Sequence, residues 1–84
     1  MLDSNYLDSK TTIYSVNITY YDDNSEFKFI YPEYAEALDK FVQECEDKGR
    51  LIAILGHGEY KIELIDTTDK RIMRSLFFKA NLNL

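Results

Sequence analysis

Residues 32–48 read PEYAEALDKFVQECEDK, and this stretch decides the fold because it carries a clear helical pattern. Pro32 suits the first turn of a helix, where a missing N–H has no partner to lose. Gly49 can adopt the left-handed conformation that ends a helix. The stretch therefore predicts an amphipathic helix that stops at Lys48. Its apolar side recurs at a 3.6-residue period and consists of Tyr34, Leu38, Phe41, Val42 and Cys45.

Directly behind the helix, residues 51–55 are apolar at every position. A strand with this composition is usually central in a sheet and buried on both faces. Gly56, His57 and Gly58 then predict a tight turn between two strands. Apolar residues that alternate with charged ones predict the strand after the turn, and these are Tyr60, Ile62 and Leu64.

Two further strands are predicted before the helix. Residues 11–22 alternate with period two and are rich in β-branched and aromatic side chains, which is typical of a half-buried strand. Residues 22–25 are short and polar, as in a turn. The next strand places three aromatic residues on one face, and the two strands should form an antiparallel hairpin. These residues are Phe27, Phe29 and Tyr31.

The C-terminal segment allows two interpretations. Residues 66–70 are typical of a hairpin turn that leads into a strand over residues 71–78. The same residues could instead cap a helix, since several later apolar residues share one helical side. Both interpretations stay open at this point. The helical side would consist of Ile72, Met73, Leu76, Phe77 and Ala80.

These elements predict an α+β fold, with a mostly antiparallel sheet and one long helix packed on one face. The order is β-β-α-β-β plus a C-terminal strand or helix. Residues 1–10 are polar and lack a period, so we expect a flexible N-terminal arm there. Residues 11–84 should form a single domain, since 84 residues suffice for only one core.

The composition restricts the class of protein. A hydrophobic share of 45% with 5 Phe and 7 Tyr argues for a folded domain. No apolar run approaches the ~20 residues that span a bilayer, and the single cysteine allows no internal disulfide. We therefore expect a cytoplasmic protein that does not bind membranes. The net charge of −5 disfavours direct nucleic-acid binding.

No catalytic constellation is visible in the sequence. His57 is the only histidine, and no partner nucleophile can be identified for it. Cys45 lies on the apolar side of the helix, which predicts a packed thiol and not a nucleophile. One histidine and one cysteine cannot complete a zinc site. We expect no enzymatic activity, no metal and no cofactor.

The leading hypothesis is therefore a small protein–protein interaction module that also binds a second copy of itself. If residues 51–55 form a central strand and only one helix covers the sheet, apolar side chains remain exposed on the second face. Such a stripe usually marks a contact surface, and a two-fold dimer is expected. The stripe would consist of Ile52, Ile54 and Ile65.

The alternative hypothesis is an acidic antagonist whose carboxylates imitate nucleic-acid phosphates and occupy a basic protein site. It requires the acidic residues of the turn and of the outer helix face to form one continuous surface. A small accessory protein of a phage or plasmid would suit either hypothesis. The candidate partner-binding residues are Asp22, Asp23, Glu26, Glu33, Glu36, Glu44 and Asp47.

Overall fold

The computed structural model describes residues 12–81, which form a four-stranded antiparallel sheet and one helix. The strand order across the sheet is β2-β1-β3-β4. The α+β class and the order β-β-α-β-β are as predicted, whereas the arm predicted for residues 1–10 lies outside the described residues. In chain order the elements are β1 (Tyr14–Tyr20), β2 (Ser25–Tyr31), α1 (Tyr34–Leu55), β3 (His57–Asp66) and β4 (Arg71–Asn81).

The hydrophobic core lies between α1 and the two central strands. Period-two alternation places the apolar residues of β1 and β3 on the helix side of the sheet, as predicted. Each such side chain contributes about 1.5–3 kcal/mol on burial, before ordering entropy is subtracted. The buried cluster consists of Val16, Ile18, Ile62 and Leu64 from the sheet, with Ala37 and Phe41 from the helix.

The helix ends seven residues, or about two turns, later than predicted, and the strand predicted for residues 51–55 is wrong. Gly49 does not end the helix, because a helical glycine costs only about 1 kcal/mol relative to alanine. The helix ends at Gly56 instead, whose φ of 78° is left-handed and whose N–H donates to the Ile52 carbonyl at 2.7 Å. A five-residue apolar run fits either structure, so its period could not decide between them.

The predicted turn at residues 56–58 is also wrong. Gly56 caps the helix, and His57 is already the first residue of β3. Gly58 has a φ of 148°, and a Cβ atom there would lie 2.8 Å from the Tyr60 ring. These two glycines therefore end the helix and admit a buried tyrosine, and they do not reverse the chain between two strands.

The C-terminal segment is a strand, β4, that follows a turn at residues 67–70. The register against β3 shifts between Leu64 and Ile65, so β4 carries a β-bulge around Met73. The bulge places Ile72 on the face away from the helix, whereas Arg74 lies on the helix side. Because the bulge reverses which residues face the helix, the apolar residues of β4 do not alternate with period two along the strand. Their spacing therefore also fitted a helix.

Candidate interaction surface

Strand β2 is an edge strand with large apolar side chains exposed on both faces of the sheet. Phe27 and Phe29 lie on the helix side and are 51% and 36% exposed, and Ile30 lies on the other side and is 56% exposed. We call these three side chains, together with the outer edge of β2, the β2 surface. Among residues 12–81, no strand pairs with that outer edge.

The exposure of β2 follows from where the helix lies. The residues that α1 buries in the core, Ala37 and Phe41, pack with apolar side chains of β1 and β3. The helix contacts β2 through Lys40, whose Nζ lies 4.3 Å from the centroid of the Phe29 ring. The sequence predicted the face on which Phe27 and Phe29 lie, but not that the helix would leave them half-exposed.

The two edge strands differ in how they are protected. The edge strand β4 contains the bulge and the basic side chains of Arg71 and Arg74, which are features that prevent edge-to-edge pairing. By contrast, β2 pairs with β1 in an uninterrupted register over all seven of its residues. Beyond its bulge, β4 is also regular over residues 74–81, so the two edges differ in the bulge and in charge. Strand β2 has no bulge and carries one acidic and one basic side chain, Glu26 and Lys28.

The sheet face opposite the helix is only partly apolar. Ile30, Ser15, Ile65 and Ile72 form one row across the four strands. The next row toward the β1–β2 turn is polar and includes Lys28 and Glu63 at its β2 and β3 positions. Beyond that polar row, the Phe77 and Tyr21 rings form a second apolar patch on this face, with their centroids 5.8 Å apart. No helix packs on this face within the described part of the chain.

The helix carries a row of three charged residues on its sheet-facing side. Glu44 and Lys48 are buried, with 8% and 7% of their surface exposed. The Nζ atoms of Lys40 and Lys48 lie 2.7 and 2.8 Å from the two carboxylate oxygens of Glu44. The Lys48 ammonium also lies 5.2 Å from the centroid of the Tyr20 ring. The expected outward position of Glu44 is therefore wrong, because the carboxylate pairs with two ammonium groups instead of facing solvent.

The buried pair of Glu44 and Lys48 is ionised. Burial alone would raise the pKa of Glu44, but hydrogen bonds from Lys40 and Lys48 outweigh it and hold that pKa below its usual value. Burial would likewise lower the pKa of Lys48, but the contacts with Glu44 and Tyr20 raise it. A protonated lysine is no nucleophile and an ionised carboxylate is no general acid, so the row is suited to holding the helix on the sheet.

The remaining acidic candidates do not form one surface. Asp22 and Asp23 lie in the exposed turn after β1, where Ser25 donates hydrogen bonds to Asp23 and lowers the pKa of its carboxyl. Glu33 and Glu36 lie at the start of the helix, near the opposite end of β1. A strand of seven residues separates the two groups by about 20 Å.

The other two acidic candidates lie apart from both groups. Glu26 is exposed on β2, on the sheet face opposite the helix. Asp47 pairs with Arg50 of the same helix at 3.2 Å. The carboxylates are thus dispersed, which gives the acidic-antagonist hypothesis no continuous surface to use.

The three residues predicted for self-association are not brought together. Ile65 lies on the sheet face opposite the helix, as expected for a residue on an uncovered face. Ile52 and Ile54 belong to the helix, because residues 51–55 are not a strand, and Ile54 is 72% exposed. The large apolar side chains that the sheet exposes lie instead on its two edge strands, at the β2 surface and at Ile72, Leu76 and Phe77 of β4.

The two candidate catalytic side chains lie on different elements. His57 is exposed at the start of β3, and Cys45 is partly buried on the helix, where it packs against the core. Burial and the neighbouring carboxylates of Glu44 and Glu46 raise the pKa of the Cys45 thiol. A raised pKa reduces the thiolate fraction, so this thiol is poorly suited to nucleophilic chemistry.

We expect Cys45→Ser and His57→Ala to leave the oligomeric state unchanged, since neither residue contributes to the β2 surface. The Cys45 thiol should also react with a chromogenic disulfide reagent at pH 8 several-fold more slowly than free cysteine, because less of it is ionised. Free cysteine and the urea-unfolded chain are the references. A rate equal to theirs in the folded protein would contradict the burial described here.

The described residues contain no group of three or more His, Cys, Asp or Glu side chains placed to hold a metal ion. Within residues 12–81, α1 is too polar to cross a membrane.

Comparisons with known proteins give no relative from which a function could be transferred. No protein-family model, no curated protein and no solved structure matches this chain.

Proposed function

We propose that this chain is a non-enzymatic protein–protein interaction module that binds a second copy of itself through the β2 surface. The observation that carries the proposal is the exposure of Phe27, Phe29 and Ile30 on both faces of one edge strand. A regular edge strand with apolar side chains is a template for pairing with another chain, and natural proteins usually protect it. A partner that covers β2 would explain why this edge strand carries no such protection.

The chemistry of the surface supports a protein partner. Aromatic residues are enriched in protein interfaces, where they supply large contact areas at low cost in conformational entropy. The basic residue over the Phe29 ring, Lys40, already pairs with Glu44, so its position is fixed before binding. Preorganised side chains lose less entropy when a partner arrives.

We expect the protein to form a reversible dimer. Multi-angle light scattering over a wide concentration range should show the mass rising from 9.9 kDa toward twice that value. Phe27→Ser should shift the dimer dissociation constant upward by roughly tenfold or more, because it removes an exposed aromatic ring from the centre of the surface. Ile54→Ser is the matched control, since Ile54 is equally apolar and 72% exposed on the helix. A monomeric mass at every concentration would refute the proposal.

A further inference from the structure

We propose that two copies join by antiparallel pairing of their β2 strands, in the register that sets Phe27 opposite Phe27 of the second copy. This inference rests on the proposed self-association and specifies its geometry. The two four-stranded sheets then form one eight-stranded sheet around a two-fold axis.

The sheet has two edges at which a second copy could pair. Only β2 and β4 lie at the edges of the described sheet. Strand β4 carries a bulge near its start and only basic charged side chains, Arg71, Arg74 and Lys79, so its charge pattern is not complementary to itself. Strand β2 offers seven residues in regular register, from the β1–β2 turn to the residue before Pro32. Antiparallel pairing of β2 with itself satisfies the outward backbone groups of both copies equally, as a two-fold contact requires.

The charged side chains of β2 determine the register of the pair. Directly opposed residues of an antiparallel pair lie on the same sheet face. The two-fold axis must therefore pass between one residue of β2 and the same residue of the second copy, and that residue is the centre of the pair. Centring the pair on Glu26 would set two carboxylates against each other. Centring it on Lys28 would set two ammonium groups against each other. Like charges in directly opposed positions are destabilising, so both registers are disfavoured.

The Phe27-centred register avoids both conflicts. Each Glu26 then lies opposite Lys28 of the second copy, and this ion pair occurs twice across the axis. Both side chains are exposed on the sheet face away from the helix. On the helix side the two Phe27 rings meet, and both helices lie on the same face of the joint sheet. The charge pattern of β2 is thus complementary to itself in one register.

Charge exchange tests this register. Glu26→Lys alone and Lys28→Glu alone should each raise the dimer dissociation constant roughly tenfold or more, since each sets like charges opposite one another twice. An equimolar mixture of the two variants should recover dimers, because one chain then presents two basic residues and the other two acidic ones. Glu26→Lys/Lys28→Glu in one chain should also recover the wild-type affinity. Sedimentation equilibrium measures all four cases.

The variants should not disturb the fold, because the β1 residues opposite these two positions are the neutral Thr19 and Asn17. Ser75→Lys on β4 is the control for a charge added to the other edge strand, because Ser75 lies opposite Glu63 and the change sets no like charges against each other. It should change the dissociation constant by less than about twofold. Far-UV circular dichroism verifies that each variant is folded.

Each outcome is decisive. A wild-type dimer that tolerates both single changes would overturn the β2 register but leave self-association intact. Weakening by the single changes without recovery in the mixture would overturn the Phe27-centred register. A wild-type chain that is monomeric at every concentration would refute the proposed function and this inference together.

Discussion

Replacing Phe41 by alanine is expected to lower the free energy of unfolding by about 3–5 kcal/mol. The ring is 8% exposed and packs into the cluster between the helix and the central strands. The cost has two parts, since the apolar atoms are lost and the surrounding backbone cannot collapse fully into the cavity. A domain of this size has a stability of only about 4–13 kcal/mol, so the loss is a large fraction of the total. Urea unfolding followed by circular dichroism measures it.

Ile54→Ala is the control for this measurement. Ile54 is 72% exposed on the outer side of the helix, and its truncation should change stability by about 0.5 kcal/mol or less. If residues 51–55 formed a buried central strand, the same change would cost about 2–5 kcal/mol. A large loss at Ile54 would therefore contradict the helical structure of this segment.

Glu44→Gln is expected to cost about 2–4 kcal/mol, because it leaves the buried Lys48 ammonium without its carboxylate partner. Glutamine has nearly the same shape as glutamate, so the loss of stability measures the effect of removing the charge and not a change in packing. Asp47→Asn, which breaks the exposed pair with Arg50, is the matched control and should cost about 0.5 kcal/mol or less. Equal effects of the two changes would show that the sheet-facing pair contributes no more than a surface pair.

The difference in the free energy of unfolding between the wild type and Glu44→Gln should depend on pH. The pKa of Glu44 is lowered in the folded state, so the carboxylate contributes stability above its usual pKa of 4.5. That contribution is lost as the pH falls through the lowered value. The two proteins should therefore converge in stability in strong acid. A difference that stays constant from pH 7 to pH 2 would contradict the role assigned to this carboxylate.

Much of the sheet could be predicted from the sequence, because its signals are local. Period-two alternation predicted the buried faces of β1 and β3, including Val16 and Ile62. The end of the helix was mispredicted because residues 51–55 are apolar whether helical or extended. Gly49 and Gly56 are both possible terminators, and only packing determines which one ends the helix.

The candidate site was harder to predict, because it depends on tertiary contacts. Hydropathy placed Glu44 on the solvent side, yet its spacing of three residues from Phe41 puts it on the core side of the helix. The two lysines at four-residue spacing on either side of Glu44 were the available signal for a buried charge row. Nothing local indicates that β2 is left at an edge, since strand order follows from how β1 and β3 pair.

The bulge in β4 has a consequence for how many chains can assemble. A sheet with two regular edges can add chains at both and grow into an open-ended filament of the cross-β type. Here one edge strand, β4, carries a bulge around Met73 and only basic charged side chains, Arg71, Arg74 and Lys79. Under the proposed self-association, a second β4 that approached this edge would meet charges of the same sign. The bulged, basic strand would thus limit edge-to-edge polymerisation to a closed pair.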